Sequence, residues 1–214
     1  MAQNSTDTSD ELDALIIRNL RDLEGASHRL VHKIEPRVAK AIDGIVKNWA
    51  SREGWKGEFD FSSDGLWLAP QNWSGKAAAP NGYLARYYLD YGSGDDGKGE
   101  PAEDYFWLTR LCCVGKGKMG FRWYFGNELT TKPKWKKIIQ EDANKRVESI
   151  GRKGFEPEDS GYFFTQIKVD AEQIALGAID NSFDKALQPV RAALDRLLEA
   201  KPMFDELMQA AEGR

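Results

Sequence analysis

The apolar residues of this chain repeat with one period at its two ends and with another in its middle. Leu12, Leu15, Ile16, Leu20 and Leu23 fall three or four residues apart, the spacing that gathers side chains on one face of an α-helix. Ser9 offers a side-chain oxygen to the free amides of a first turn, and Asp10 and Glu11 suit its positive end. The pattern therefore predicts a helix that begins near Ser9 and ends close to Gly25. A second helical segment restarts at Ser27, where Val31, Ile34, Val38, Ala41, Ile45 and Trp49 keep a three-four alternation. Pro36 interrupts it, because proline lacks a donor and restrains Glu35 before it, which predicts a kink, a break or a fresh turn that starts at Pro36. A stripe this narrow has to lie on something, either the rest of the chain or a second copy, and a homodimer through residues 31–49 is one expectation.

From Glu58 onward the period becomes strand-like. Residues 58–61, 66–69, 83–91, 105–114 and 121–125 are short runs of aromatic and branched residues, separated by Asp-Gly, Asn-Gly and other glycine-rich turns. Connections this short favour antiparallel neighbours and hence a meander. Residues 92–101 form the longest polar connection and are expected to be disordered. A helix is predicted around 135–149, then a glycine-rich turn at 151–154 and a strand over 162–169. Asp170 follows as the cap of a short helix carrying Ile174 and Leu176. Phe183, Leu187, Val190, Ala193, Leu194, Leu197 and Leu198 mark a closing amphipathic helix that Pro202 ends or restarts. The expected fold is α+β: a mostly antiparallel β-meander sheet of five or six strands packed by N-terminal and C-terminal helices. A tail at 1–8, a helical arm at 9–53 and an α+β body at 54–214 make one compact domain.

Composition sharpens this division. All seven tryptophans lie between Trp49 and Trp135, and residues 1–48 contain no Phe, Trp or Tyr. With 214 residues, 41% of them hydrophobic, the chain is long enough for one good core. Thirty basic residues stand against 34 acidic ones, a net of -4, which argues against coating nucleic acid through a general positive field. The chain has no apolar run of membrane-spanning length, and its first ten residues are polar, so a cytoplasmic protein without membrane association is expected. Cys112 and Cys113 sit side by side in a predicted strand, where their side chains point to opposite faces. They are expected to stay reduced.

Four groups of residues carry chemistry worth testing. His28 and His32 are four apart, with Glu24 and Glu35 about a turn away. Two imidazoles at that spacing can share a metal, but no clustered third ligand follows, and solvated helix residues are the better account. Gly115, Gly117 and Gly120 spell GxGxxG, yet a strand rather than a helix follows, which excludes a dinucleotide site and leaves a hairpin turn displaying Lys116 and Lys118. Lys132, Lys134, Lys136 and Lys137 surround Trp135. If Lys116, Lys118 and Arg122 lie beside them, with Trp123 near, the group is a basic and aromatic patch able to hold single-stranded nucleic acid or an acidic protein surface. Asp159, Gln166 and Lys168 resemble the carboxylate and lysine arrangement of metal-dependent nucleases, but a Mg2+ site wants at least two carboxylates. No catalytic residue and no cofactor are expected.

The succession GLWLAPQNW, YLARYYLDY, YFWLTRLCCV, FRWYFG, a helix at Trp135, YFFTQIKVDAEQIA and a closing helix is similar to the C-terminal part of certain bacterial and phage-encoded proteins of the PD-(D/E)XK nuclease superfamily. The resemblance spans about residues 30–200 and rests on Gly65, Trp67, Trp73, Trp135, Phe163, Phe164 and the closing helix. The nuclease half is missing, so no catalytic residue carries over, and what the resemblance implies is an accessory or recognition module. The functional expectation is accordingly a non-catalytic protein-binding module of bacterial or phage origin, acting in defence, counter-defence or toxin neutralisation. Its binding surface would be the aromatic sheet face or the long N-terminal helix. Single-stranded nucleic-acid binding through the Lys/Trp patch is the first alternative and a metal-dependent nuclease-like hydrolase the second.

Overall fold

The computed structural model describes residues 6–63, 65–75, 82–91, 104–126, 129–141 and 143–212. The expected disordered loop at 92–101 and residues 1–5 of the expected tail lie outside them. By their internal contacts, residues divide into Met1–Val38 and Ala39–Arg214. The division falls inside a helix, earlier than the arm boundary expected at residue 53.

In the first unit, helix α1 (Thr6–Arg18) is followed by α2 (Leu20–Arg29), a π-helical turn (Leu30–Ile34) and the first residues of α3 (Glu35–Glu53). Helix thus begins before Ser9. The interruption sits at Asn19, whose side-chain amide donates to the Leu15 carbonyl oxygen at 2.7 Å. Gly25 does not end the helix; the chain runs through it with no neighbour a Cβ would meet. Pro36 does not break the chain's helical course either. The Glu35 amide reaches back five residues to the Leu30 carbonyl, and the widened turn delivers Pro36 into the opening turn of α3, where a missing donor costs little.

The second unit is built on a six-stranded antiparallel sheet of β1 (Lys56–Asp60), β2 (Gly65–Ala69), β3 (Ala85–Tyr91), β4 (Met119–Phe125), β5 (Glu156–Pro157) and β6 (Phe163–Ile167), in the order β1-β2-β3-β4-β6-β5. The first four strands form the expected meander. Between β3 and β4 the structure corrects the strand expected at 105–114: Trp107–Cys112 is helix α4. Leu108, Leu111 and Cys112 are buried there at helical spacing, and a short apolar run reads equally well in either period. Cys113 then takes a left-handed conformation (φ 52°) and ends the helix. The opposite-face argument for the two thiols therefore does not apply, although both are free.

After β4 come α5 (Lys132–Glu141), a π turn (Ala143–Val147), α6 (Glu148–Gly151), α7 (Ala171–Asp180) and α8 (Gln188–Glu212). Asp170 caps α7 as expected, accepting from the Glu172 and Gln173 amides at 2.8 and 3.2 Å. Pro202 neither ends nor restarts α8, which buries Ala200 before it and Phe204, Leu207 and Ala211 after it. Packing on both sides outweighs the lost backbone bond.

One face of the sheet meets α8. Tyr87, Trp123 and Phe163 stand directly opposite one another on successive strands, and all three rings contact Phe204. The α3 segment in this unit joins them: Ile42, Ile45, Val46 and Trp49 are buried, Trp49 Nε1 donates to Asp195 at 3.2 Å, and Trp55 stacks on Tyr87. This stripe is the one expected to pair with its copy through 31–49. Its second half, at Ile45 and Trp49, is buried inside the second unit. Among the described residues, no helix is long and apolar enough to cross a membrane.

Candidate binding face

The alternation of β-strands sends every second side chain to the side of the sheet away from α8. Strand pairing sets Glu58, Trp67, Tyr88, Arg122, Phe164 and Glu156 in one row across all six strands. Arg86 and Tyr124 stand opposite each other in the next row. Tyr162, just before β6, closes on Tyr124 with ring centroids 4.8 Å apart. The face is aromatic like the core, but it carries two guanidinium groups.

Those two arginines differ in what they meet. Arg122 is fully engaged: Nε donates to Glu158 at 2.8 Å, Nη2 donates to Glu158 at 3.1 Å and to the Tyr91 carbonyl at 2.6 Å, and Nη1 pairs with Asp90. Arg86 is only 5% exposed, and its guanidinium lies 5.3 Å from the Trp67 ring centre and 5.1 Å from that of Tyr88. Its Nη1 is buried without a hydrogen-bond partner, as is Trp67 Nε1, and among the described residues Arg86 makes no ion pair. Cation–π contact offsets part of the cost of withdrawing this charge from water, on the order of 1–2 kcal/mol. Its planar, forked donors stay unmatched, and a carboxylate or phosphate is the group whose geometry they fit.

The tyrosines here are hard to ionise. Burial raises Tyr88, an effect the Arg86 charge partly offsets and Tyr124, Glu58 and Asp90 reinforce. Burial, then the charge and hydrogen bond of Tyr124, push Tyr162 up to about 12. Tyr87, in the core on the other side, is raised well above the usual value of 10.0 by burial and by Asp205. Since these folded values exceed the unfolded one, their contribution to stability is complete below about pH 10 and is lost as pH rises through the raised values, about 12 for Tyr162. Alkaline titration followed at 295 nm is expected to show these phenols ionising only as the protein unfolds; free titration of all seven near pH 10 contradicts the burial.

The residues singled out in the sequence are dispersed. Trp123 and Trp135 are both fully buried. Trp123 stacks on Phe204, and Trp135 packs on Phe125 while its Nε1 donates to the Gly161 carbonyl at 2.7 Å. Neither ring face is free for a base, so the stacking platform expected of them is a correction. Lys116 and Lys118 precede β4 while Lys132, Lys134, Lys136 and Lys137 follow it, and seven residues of strand, roughly 20 Å, lie between the groups. Lys134 donates to the Ala211 carbonyl at 3.0 Å and Lys137 pairs with Glu141 at 3.6 Å; Lys136 is exposed, and the Lys132 side chain lies outside the described residues. The patch is not assembled as one surface.

The glycine-rich segment is not a hairpin turn, because α4 rather than a strand comes before it. It wraps a carboxylate of its own chain: the Lys116 and Gly117 amides donate to Asp104. A Cβ on Gly115 would fall 2.0 Å from an Asp104 oxygen. His28 and His32 approach to 4.5 Å between ring centres. The Gln166 amide donates to Cys113 Sγ at 3.0 Å, while Asp159 and Lys168 are exposed. Among the described residues no group of three or more His, Cys, Asp or Glu side chains is placed to hold a metal ion.

Arg86 is the residue sequence reasoning missed. Its signal is the strand alternation Arg86, Tyr88, Asp90 in YLARYYLDY, which sets a cation on the face opposite Ala85, Tyr87 and Leu89. Compared with protein-family models, curated proteins and solved structures, the chain matches none.

Proposed function

We propose that this protein is a non-catalytic binding module that recognises a protein partner through the outer face of its sheet, with Arg86 receiving a carboxylate of that partner. The carrying observation is a buried guanidinium held between two aromatic rings with no acidic partner among the described residues. A charge kept out of water in that way is destabilising unless something pairs with it. Tyr88, Tyr124 and Tyr162 around it supply the rigid, amphipathic contact area typical of binding anchors. An accessory or recognition role in a bacterial or phage setting, in defence, counter-defence or toxin neutralisation, is the biological reading that goes with such a module.

Arg86→Met tests the reading because a structural and a binding role predict opposite signs. Replacing an unpaired buried charge by an apolar side chain of similar length is expected to raise stability by about 1 kcal/mol. The same change is expected to weaken binding of a fluorescent Asp/Glu-rich peptide by tenfold or more, measured by anisotropy. Peptide binding that is unchanged by the substitution, or equal binding of a Lys-rich peptide, overturns it. A single-stranded oligonucleotide that outcompetes the acidic peptide supports the nucleic-acid alternative instead.

A further inference from the structure

The helical segment before α3 carries an apolar stripe that nothing in its own unit covers. Leu12, Leu15, Ile16, Leu20 and Leu23 are each between 42% and 57% exposed. At 100° per residue Leu12, Leu15 and Ile16 fall within roughly 100° of arc on α1, and Leu20 and Leu23 within roughly 60° on α2, so each helix presents a strip and not scattered side chains. Leaving five large aliphatic side chains half in water forgoes, for each, roughly half of the 1.5–3 kcal/mol that complete burial provides. A strip of this kind marks an interaction surface.

The charges along the same helices name its occupant. Asp10, Glu11 and Asp13 are all exposed, and no basic residue lies among them. At the other end Arg29 and Lys33 stand with His28 and His32, and residues 28–33 include no acid. The acidic residues lie in α1 and the basic ones at the end of α2 and in the π turn, and α2 alone is about 15 Å long, well beyond the screening length of about 8 Å at physiological salt. Each end therefore presents its own sign to whatever lies alongside. Two copies laid parallel would set acid on acid and base on base. Laid antiparallel, they pair each acidic end with a basic one while the leucine strips face each other.

We propose that the helical segment 10–33, α1 with α2 and the π turn, pairs antiparallel with its own copy, and that the chain associates through it with a second copy of itself. This surface is separate from the sheet face and does not depend on what that face binds. One helix face per partner is a small interface, so the association is weak and dependent on concentration.

Sedimentation equilibrium of the full chain tests this. The weight-average mass is expected to rise with concentration from 24.1 kDa toward twice that value, and Ile16→Glu with Leu23→Glu is expected to hold it at the monomer. Both positions are exposed, so the tryptophan spectrum of the body serves as a control for folding. Orientation is read from charge. Added salt weakens antiparallel pairing, which is attractive at its ends, and strengthens parallel pairing, which is repulsive. Asp10→Lys, Glu11→Lys and Asp13→Lys together are expected to weaken association at least tenfold, and adding Arg29→Glu and Lys33→Glu is expected to restore it. A chain that stays monomeric at every concentration, a leucine-strip variant that associates as the parent does, or association strengthened by salt overturns the proposal. The first outcome leaves the strip to a different protein.

Discussion

Trp123→Ala is expected to cost about 3–5 kcal/mol of folding stability, a large share of what a domain of this size possesses. The ring is fully buried and lies at the meeting point of the core: it stacks on Phe204 at 4.8 Å and is 5.4 Å from Trp135, 5.9 Å from Phe125, 6.1 Å from Phe163 and 6.4 Å from Trp73. Those neighbours come from the sheet, from the 3-10 turn Gln71–Trp73, from α5 and from α8, so a void there cannot close by the movement of one element. Urea unfolding followed by circular dichroism measures the effect, with Trp123→Phe expected to fall between the two, because it leaves a smaller void and removes an indole Nε1 that has no hydrogen-bond partner. Near-parental stability of the alanine variant would mean that the ring is not the keystone of this core.

Arg122→Ala is expected to lower stability by about 3 kcal/mol, or roughly 6–12 °C in Tm for a chain of this length. The loss is of a kind different from a void. Arg122 ties β4 to Asp90 at the end of β3 and to Glu158 in the turn before β6, and the Glu158 side chain is 12% exposed. Without the guanidinium, two carboxylates keep their charge in a poorly solvated place and lose the cation that joins them. Asp90 is 42% exposed and regains part of its hydration, which keeps the figure at the lower end for a broken buried pair. Combining Arg122→Met with Glu158→Met is expected to recover more than half of the loss in a thermal melt. If the double variant is as unstable as Arg122→Ala, the pair acts through packing and not charge.

Much of this architecture was legible in the sequence, for physical reasons that also mark where the reading stopped. Period-two aromatics gave the meander, because β3 and β4 bury every second residue, and the stripe from Phe183 to Leu198 gave α8. The run at Trp107–Cys112 misled because six residues with apolar positions at both spacings do not choose a period by themselves. Asn19, Gly25, Pro36 and Pro202 carry local preferences that the surrounding helices obey or override according to what packs beside them. β5 is two residues long and has no pattern to read.

The expected site fared differently from the fold. The basic patch requires Lys116 and Lys118 to lie beside Lys132–Lys137, yet β4 holds the first pair at one end and leads to the second group from the other. Tryptophan count alone does not say which rings are buried: Trp123 and Trp135 lie in the core, whereas Trp67 lies under a guanidinium on the other side of the sheet. That distinction comes from strand parity, which becomes usable only once the strand boundaries are known.

The margins of the sheet also limit how another chain can approach. β1 lies at one border with Lys56, Glu58 and Asp60 exposed along it, and the two-residue β5 with Pro157 forms the other. Charged residues on one rim and a proline on a stub at the other are the devices that discourage a foreign ribbon from annealing on. Partners that bind by strand addition, and fibrils that grow the same way, are thereby disfavoured.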